Sequence, residues 1–241
     1  MKLIRSYLLV LSILSATVAL HAQPLYLGEF NIRNDNAKDA VAGNGWAVRC
    51  PVVCDILKVE AFDIFGTQEV LHNQLEDMLA ALPDYDYIGV GRNDGKTSGE
   101  YAAIFYKSDR IKCLSNGHFW LSETPDVAGS SLPNANYPRI CPWARLKDKA
   151  TGFEYVHINT HLDHNGNNSG TDGRAIRTAQ VRVILEFIQT LPDLPMVFTG
   201  DFNQATTSSA GNTYAMFKNV LGLSTFKSST GEEITGCFAD A

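Results

Sequence analysis

Four apolar segments of the sequence end in side chains that can bind a cation or a phosphoryl group. These are Asn31 after "LGEF", Glu69 after "IFGTQ", His161 after "VHINT", and Asp201 and Asn203 in "VFTGDFN". In layered α/β folds, sites are built where strands end. Turns alone favour Asn and Asp, but four such ends together favour one shared polar pocket.

Oxygen ligands dominate these four segment ends. The carboxylates of Glu69 and Asp201, with the amides of Asn31 and Asn203, suit Mg²⁺, Mn²⁺ or Ca²⁺. Such an ion binds phosphoryl oxygens and neutralises the charge that develops during hydrolysis. Turns and helix caps are the competing interpretation of each residue taken singly. For the set, we predict a divalent-metal site that acts on phosphate.

The stretch "YVHINTHLDHNG" contains three histidines and is open to a second interpretation. A zinc hydrolase would use His157, His161 and His164 together. However, "YVHINTH" alternates and is β-branched, so it predicts a strand, in which residues 157 and 161 lie about 13 Å apart. That separation is too long for one ion. We therefore expect His157 to be structural, His161 to face the site and His164 to lie in the next loop.

The elements that would position these side chains predict one α/β domain, with a mixed sheet inside and helices outside. Apolar segments alternate with amphipathic ones, and hairpin-like strands fill the middle of the chain. Two helices stand out, and their apolar residues recur at helical spacing. One lies within 45–62, with Val48, Val52, Ile56 and Val59 on its apolar side; the other lies within 173–191, with Ile176, Val181, Ile184, Leu185 and Ile188 on its apolar side.

The first 22 residues predict export. Lys2 and Arg5 precede a 14-residue apolar run, and Ala22 offers a small residue for cleavage, which is typical of a secretory signal peptide. The run is short for a bilayer span, so an uncleaved membrane anchor is the less favoured alternative. We predict a signal peptide at 1–22 and a periplasmic or extracellular domain at 23–241.

The charge of the mature chain argues against a general affinity for polyanions. Without Lys2 and Arg5, 18 basic residues remain against 26 acidic ones, a net charge of −8. Such a protein has no overall attraction to nucleic acid or anionic membranes, so a polyanionic substrate needs metal ions or a local basic patch. We expect a monomer that binds a phosphate ester, with nucleic acid as one substrate class and no stable membrane insertion.

Five motifs, taken in order, resemble the endonuclease/exonuclease/phosphatase family. They are "FNIRNDN", "FGTQEV", "GEYAAIFY", "NTHLDH" and "TGDFN", and the resemblance covers about residues 25–205. "GW" followed by "VR", and "PRICPWARL", look like its secreted bacterial members. The resemblance implies a four-layer α/β sandwich with mixed, largely antiparallel sheets, built around a divalent-metal site.

The family's metal and water positions fall on residues already singled out. The resemblance implies that Glu69 is the main metal ligand and that Asn31 helps to hold the metal or the scissile phosphate. It also implies that Asp201 and Asn203 orient the attacking water and the phosphate, with Asp201 close to the metal.

Three further residues acquire roles at the phosphate through the same resemblance. His161 would contact the phosphate, and Glu100 would pair with it. Such a carboxylate would raise the imidazole pKa and leave the other ring N–H free for a phosphoryl oxygen. Arg139, in "YPRICPW", would bind phosphate through its planar guanidinium.

The sequence departs from the family pattern after Asn203. Family members carry a later Asp-His pair whose histidine serves as the general base, but the 38 residues after Asn203 contain no histidine. We interpret the chain as a C-terminally incomplete domain that lacks its last strands, because losing central strands would expose a long sheet edge. A naturally short, inactive protein is the alternative.

Together these patterns predict an exported metal-dependent phosphodiesterase or nuclease-type enzyme, in which water attacks phosphorus in line. Two alternatives stay open. One is a phosphomonoesterase that acts on sugar or inositol phosphates. The other is a non-catalytic binding domain that has kept the scaffold.

Overall fold

The computed structural model describes residues 24–164 and 173–204, together with 213, 216–217, 226–227 and 233–234. The predicted signal peptide and the predicted truncation of the last strands lie outside these residues. The helices are α1 (Ala37–Val41), α2 (Trp46–Glu60), α3 (His72–Ala81) and α4 (Gly173–Ile188). The strands are β1 (Leu27–Asn31), β2 (Ile64–Gln68), β3 (Tyr85–Ile88), β4 (Ile104–Lys107), β5 (Ile111–Trp120), β6 (Ile140–Asp148), β7 (Glu154–His161), β8 (Met196–Asp201), β9 (Phe226–Lys227) and β10 (Glu233–Ile234).

Two four-stranded sheets form the centre of the molecule. The first has the order β1-β2-β4-β3 and the second the order β5-β6-β7-β8, while β9 and β10 pair separately. In each large sheet one pair is parallel, β1 with β2 and β7 with β8, and the other pairs are antiparallel. β1 and β2 are joined through α1 and α2, and β7 and β8 are joined through α4, as the crossover between parallel strands requires. The mixed, largely antiparallel sheets are therefore confirmed.

Neighbouring residues of the same strand pack into different layers. Ile64 packs in the core between the two sheets, whereas Phe65 packs beneath α2 and α3. On the other side of the molecule, Val181 and Ile184 of α4 share a core with Val156 of β7. The alternation follows from the period-two geometry of strands. The helix, sheet, sheet and helix layers confirm the predicted four-layer α/β sandwich. Within the described residues, no helix is long and apolar enough to cross a bilayer.

The apolar side predicted for α2 was wrong. Val48, Val52, Ile56 and Val59 face solvent with 43–81% of their surface exposed, and the residues that face the core are instead Trp46, Val53, Cys54 and Leu57. The helix has apolar residues on both sides, so periodicity alone does not decide which side packs. Trp46 anchors the buried side, because its indole Nε1 donates to Asp77 of α3 at 2.8 Å.

Truncations at neighbouring positions of α2 are expected to differ sharply. Leu57 is fully buried and Ile56 is 43% exposed. Leu57→Ala should lower the free energy of unfolding by about 2–5 kcal/mol, because it leaves a cavity under the helix. Ile56→Ala should change it by at most about 0.5 kcal/mol. Denaturant titrations measure both values, and a larger loss at Ile56 would contradict this packing.

A buried polar network joins the two sheets below the ends of β2, β7 and β8. His157 Nε2 lies 2.8 Å from Thr199 Oγ1, and Thr199 Oγ1 donates to Asn159 Oδ1 at 3.1 Å. Gln68 Nε2 donates to the same Asn159 oxygen at 2.9 Å. The backbone approaches closely here, since a Cβ on Gly66 would lie 2.3 Å from Thr199 Oγ1. The network holds the strands that carry Glu69, His161 and Asp201 in fixed relation.

Stability is expected to fall as the pH drops below about 6.5, the ordinary pKa of histidine. Burial lowers the pKa of His157 to about 3, so the folded protein keeps the ring neutral. The unfolded chain takes up this proton below 6.5, which costs the fold up to about 1.4 kcal/mol per pH unit. Urea titrations at several pH values should show a shallower fall for His157→Gln than for the unaltered protein. Equal slopes would contradict this role of His157.

Candidate active site

The ends of four strands meet at one edge of the sandwich. Parallel pairing places Asn31 beside Gln68, immediately before Glu69, and it places His161 beside Asp201. Because parallel strands end on the same side of a sheet, both pairs present their last residues in one direction. The structure therefore brings together Asn31, Glu69, His161 and Asp201, which the sequence singled out at separate segment ends.

The amide of Asn31 links two carboxylates. Its Nδ2 donates to Glu69 Oε1 and to Asp201 Oδ2, both at 3.0 Å. The Asn31 amide oxygen accepts from the Arg33 backbone N–H at 3.0 Å. In this arrangement Asn31 offers N–H groups to the carboxylates, so it acts as a spacer that sets their separation.

Several residues around these carboxylates have left-handed backbone conformations. Arg33, Glu69 and Asn203 have φ values of 59°, 63° and 49°. Such values cost energy for residues other than glycine and concentrate at functional sites. The turn at Asn203 also orients Asp201, because the Asn203 N–H donates to Asp201 Oδ1 at 2.9 Å and its side chain donates to the Leu162 carbonyl at 3.0 Å.

The carboxylate pair fits a hard divalent cation. In the part of the chain that the structure describes, no Lys or Arg lies within ion-pair distance of Glu69 or Asp201. Burial and then the charge of Asp201 raise the pKa of the nearby Glu29 carboxyl, which is a sign of excess negative charge. Oxygen donors with uncompensated charge suit Mg²⁺, Mn²⁺ or Ca²⁺. Glu69 and Asp201 are the residues that would hold the ion.

The three histidines do not form a zinc site. His157 contacts Thr199 inside the molecule, His161 lines the strand ends, and His164 stacks on Tyr137 with ring centroids 6.3 Å apart. Among the described residues, no group of three or more His, Cys, Asp or Glu side chains is placed to hold a metal ion. The zinc interpretation of this stretch therefore has no structural support.

His161 lies in an electrostatic environment opposite to the expected one. Its Nε2 is 3.7 Å from Asp201 Oδ2, and its buried Nδ1 has no hydrogen-bond partner. Burial, followed by the charges of Arg139 and Arg92, lowers the pKa of His161 well below 6.5. The predicted upward shift was wrong, because positive groups and desolvation act on the ring in place of a carboxylate at Nδ1. His161 is therefore a neutral imidazole at pH 7.

Glu100 contacts other partners than the one expected. Its Oε2 accepts from Arg92 Nη1 at 2.6 Å, and its Oε1 accepts from Asn34 Nδ2 at 2.9 Å. The backbone N–H of Asn34 in turn donates to Glu69 Oε2 at 3.2 Å. Glu100 is thus held by Arg92 and Asn34 rather than by His161. It connects the carboxylate pair to a cluster of positive charge.

Arg139 is the most unusual charged group of the site. It is 3% exposed, and its Nε and Nη1 have no hydrogen-bond partner. Burial and the charge of Arg92 lower its pKa to about 10, so it remains protonated at neutral pH. It borders a small pocket lined by Arg92, Glu100, Tyr101, Ala102, Ile140 and His161. A guanidinium with free donors in such a pocket suits an anion.

Sequence patterns missed Arg92 and Tyr137. Arg92 is 7% exposed, and the ring of Tyr137 lies over it with the guanidinium carbon 4.9 Å from the ring centroid. The available signal was "GRNDG", an arginine within a glycine-flanked turn after a predicted strand. That signal is weak, because most such arginines are solvated.

Solved bacterial structures resemble this chain closely. An endonuclease/exonuclease/phosphatase family protein from Bacteroides thetaiotaomicron is 44% identical, with a TM-score of 0.73, over 80% of this chain and 68% of that one. A mannosyl-6-phosphatase from the same organism is 43% identical, with a TM-score of 0.74, over 80% and 70%. A family protein from Bacteroides vulgatus is 42% identical, with a TM-score of 0.73, over 81% and 70%.

Two curated relatives are more distant. Both are uncharacterised proteins of Acanthamoeba polyphaga mimivirus, 27% and 26% identical over 66% and 65% of this chain. The chain spans only 59% and 26% of their lengths. No protein-family model matches the chain.

The motifs, the four-layer sandwich and the bacterial structures agree. One of these relatives is named as a phosphatase, and all three structures are consistent with the hydrolysis of phosphoric esters as the general chemistry. The residues at the strand ends, two carboxylates beside a buried arginine and histidine, are suited to that chemistry. The chain belongs to the endonuclease/exonuclease/phosphatase family.

Proposed function

We propose that this protein is a divalent-metal-dependent hydrolase of phosphate esters. One observation carries the proposal: unpaired negative and positive groups face each other at the same strand ends. Glu69 and Asp201 have no cationic Lys or Arg partner among the described residues, and Arg139 has no carboxylate within ion-pair distance there. A metal ion and a phosphoryl group would satisfy both sets.

Each residue of the site would have a separate role in the reaction. Glu69 and Asp201 would hold Mg²⁺, Mn²⁺ or Ca²⁺, and the bound ion would supply Lewis acidity and neutralise the developing charge. Arg139 would bind phosphoryl oxygens, and neutral His161 would donate one ring N–H. Asn203 orients Asp201 through its backbone N–H, which keeps one carboxylate oxygen in place. Asn31 would hold the carboxylates of Glu69 and Asp201 at a fixed separation, and Glu100 would hold Arg92.

Phosphomonoesters are the favoured substrates within this class. The resemblance at the level of motifs pointed to phosphodiesters, and that remains a prediction. The 43% identity to a mannosyl-6-phosphatase favours a sugar phosphate or a similar monoester. We also propose that the protein is exported, on the basis of its first 22 residues, and that it acts as a monomer. The net charge of −8 gives the mature chain no overall attraction to nucleic acid.

Turnover of two nitrophenyl esters tests the proposal. The full-length gene product should release nitrophenol from p-nitrophenyl phosphate with Mg²⁺, and faster than from bis-p-nitrophenyl phosphate. Chelation should stop the reaction, and re-added metal should restore it. Metal binding without turnover of either ester would instead establish the non-catalytic binding domain. Faster turnover of the diester would instead support a phosphodiesterase.

A further inference from the structure

One of the two positive charges in the pocket between Arg92 and Arg139 has no ion-pair partner among the described residues. Arg92 is paired with Glu100 at 2.6 Å, whereas Arg139 has no carboxylate within ion-pair distance among the described residues. Both guanidinium groups are more than nine-tenths buried. An unpaired buried charge is costly, so a fold that keeps one has a ligand of opposite charge to gain from it.

Three guanidinium donors and one imidazole nitrogen in this pocket are also unsatisfied. Arg139 Nε and Nη1, Arg92 Nε and His161 Nδ1 are buried without hydrogen-bond partners. A buried polar group that makes no hydrogen bond has lost its interactions with water without replacing them, which is unfavourable until a ligand supplies the partner. Glu100 supplies the carboxylate of the lining, and it already accepts from Arg92 and Asn34. No acceptor oxygen of the described residues reaches the unsatisfied guanidinium nitrogens.

The size of the pocket limits what can supply these oxygens. Its cavity volume is about 10 Å³, close to the space that one water molecule needs. A single phosphoryl oxygen fits such a volume, but an oxygen that carries an alkyl group does not. A monoester has three oxygens free of substituents, and a diester has two. If the metal ion and His161 each hold one phosphoryl oxygen, the pocket receives the third, which is bare in a monoester and substituted in a diester.

Arg92 is rigidly presented to this pocket. Its side chain is held by Glu100 and lies under the Tyr137 ring, and its carbonyl accepts from Trp120 Nε1 at 2.7 Å. Its backbone N–H donates to the Glu100 carbonyl at 3.2 Å. Such constraints remove the entropy cost of ordering a long side chain when the ligand binds.

We propose that Arg92 and Arg139 form a subsite that binds the third unsubstituted oxygen of a terminal phosphate, and that Arg92 thereby selects monoesters over diesters. The inference rests on the proposed function and deepens it. Glu100 is the positioning residue that holds Arg92.

Two substrates that differ by one methyl group test the selection. The full-length protein should hydrolyse p-nitrophenyl phosphate with a higher kcat/KM than methyl p-nitrophenyl phosphate. Arg92→Gln should lower the monoester value by about 10- to 100-fold, the worth of a hydrogen bond to a charged group. The kcat/KM for the diester should fall far less, so the preference of the protein for the monoester should be lost. Equal losses for both esters, or an unchanged ratio, would overturn the proposal.

A matched arginine controls for removal of an ion pair. Arg145 donates to Glu154 at the same 2.6 Å but is 39% exposed at the side chain, on β6. Arg145→Gln should leave the ratio of the two kcat/KM values unchanged. Arg92→Lys should recover part of the monoester preference, because it restores the charge without the planar donors.

A binding measurement on the unaltered protein tests the phosphate pocket separately from the hydrolase activity. Methyl phosphate should bind at least about 10-fold more tightly than dimethyl phosphate in calorimetric titrations, since only the former offers the third free oxygen. Comparable affinities would overturn the pocket even if Arg92→Gln fails to fold. Selective binding of methyl phosphate with no turnover of either ester would support the pocket and count against the hydrolase.

Discussion

Glu69→Gln is expected to lower kcat/KM by about 100- to 1000-fold, the scale seen when one group that stabilises transition-state charge is removed. Glutamine keeps the length of the side chain and an oxygen for Asn31, but it removes one of two charges available to a divalent cation. Raising the Mg²⁺ concentration should recover part of the loss, because the variant weakens the metal site rather than the fold.

Calorimetric metal binding and thermal unfolding separate these effects. The Mg²⁺ affinity of Glu69→Gln should fall, while its melting temperature without metal should stay the same or rise, because repulsion with Asp201 is relieved. Glu76→Gln, at an exposed position of α3, should leave metal affinity and turnover unchanged. Undiminished Mg²⁺ affinity in Glu69→Gln would rule out Glu69 as the main ligand.

Arg139→Met is expected to stabilise the ligand-free protein while abolishing its response to phosphate. The guanidinium is 3% exposed and has no carboxylate within ion-pair distance among the described residues. Methionine matches its length without the charge, and replacing buried charge by packed apolar groups gains about 1–4 kcal/mol in favourable cases. Inorganic phosphate should raise the melting temperature of the unaltered protein but not of the variant.

Arg110→Met is the matched control with the opposite expected sign. Arg110 Nη1 and Nη2 contact Asp63 and Asp148 at 2.6 and 3.4 Å, and both carboxylates are buried. Its removal should destabilise the fold by about 3–5 kcal/mol, because Asp148 loses its ion pair and Asp63 keeps only the longer ion-pair contact to Lys107 at 3.7 Å. Destabilisation by Arg139→Met of the same size would show that Arg139 serves the fold instead of a ligand.

The local sequence was sufficient to predict the layers of the fold and the meeting of the four strand ends at one site. The alternation of apolar segments set the strands, and residues such as Asn31 and Asp201 stood out because strand cores do not favour them. Parallel pairing then carries such residues to one edge whatever the details of packing. The α4 prediction also held, because its apolar residues lie on one side only.

Tertiary structure alone decided which side of α2 packs, which partner Glu100 takes and which charge His161 carries. α2 has two apolar sides, and the choice depended on Trp46 reaching Asp77 of another helix. Glu100 lies within reach of Arg92, eight residues earlier, because the intervening turn folds back on itself. Ion pairs and pKa values depend on distances and burial in three dimensions, which residue spacing along a chain does not encode. The sequence by itself thus determined the strands and the family. Only the packing of the chain placed a neutral histidine and an unpaired arginine beside two carboxylates.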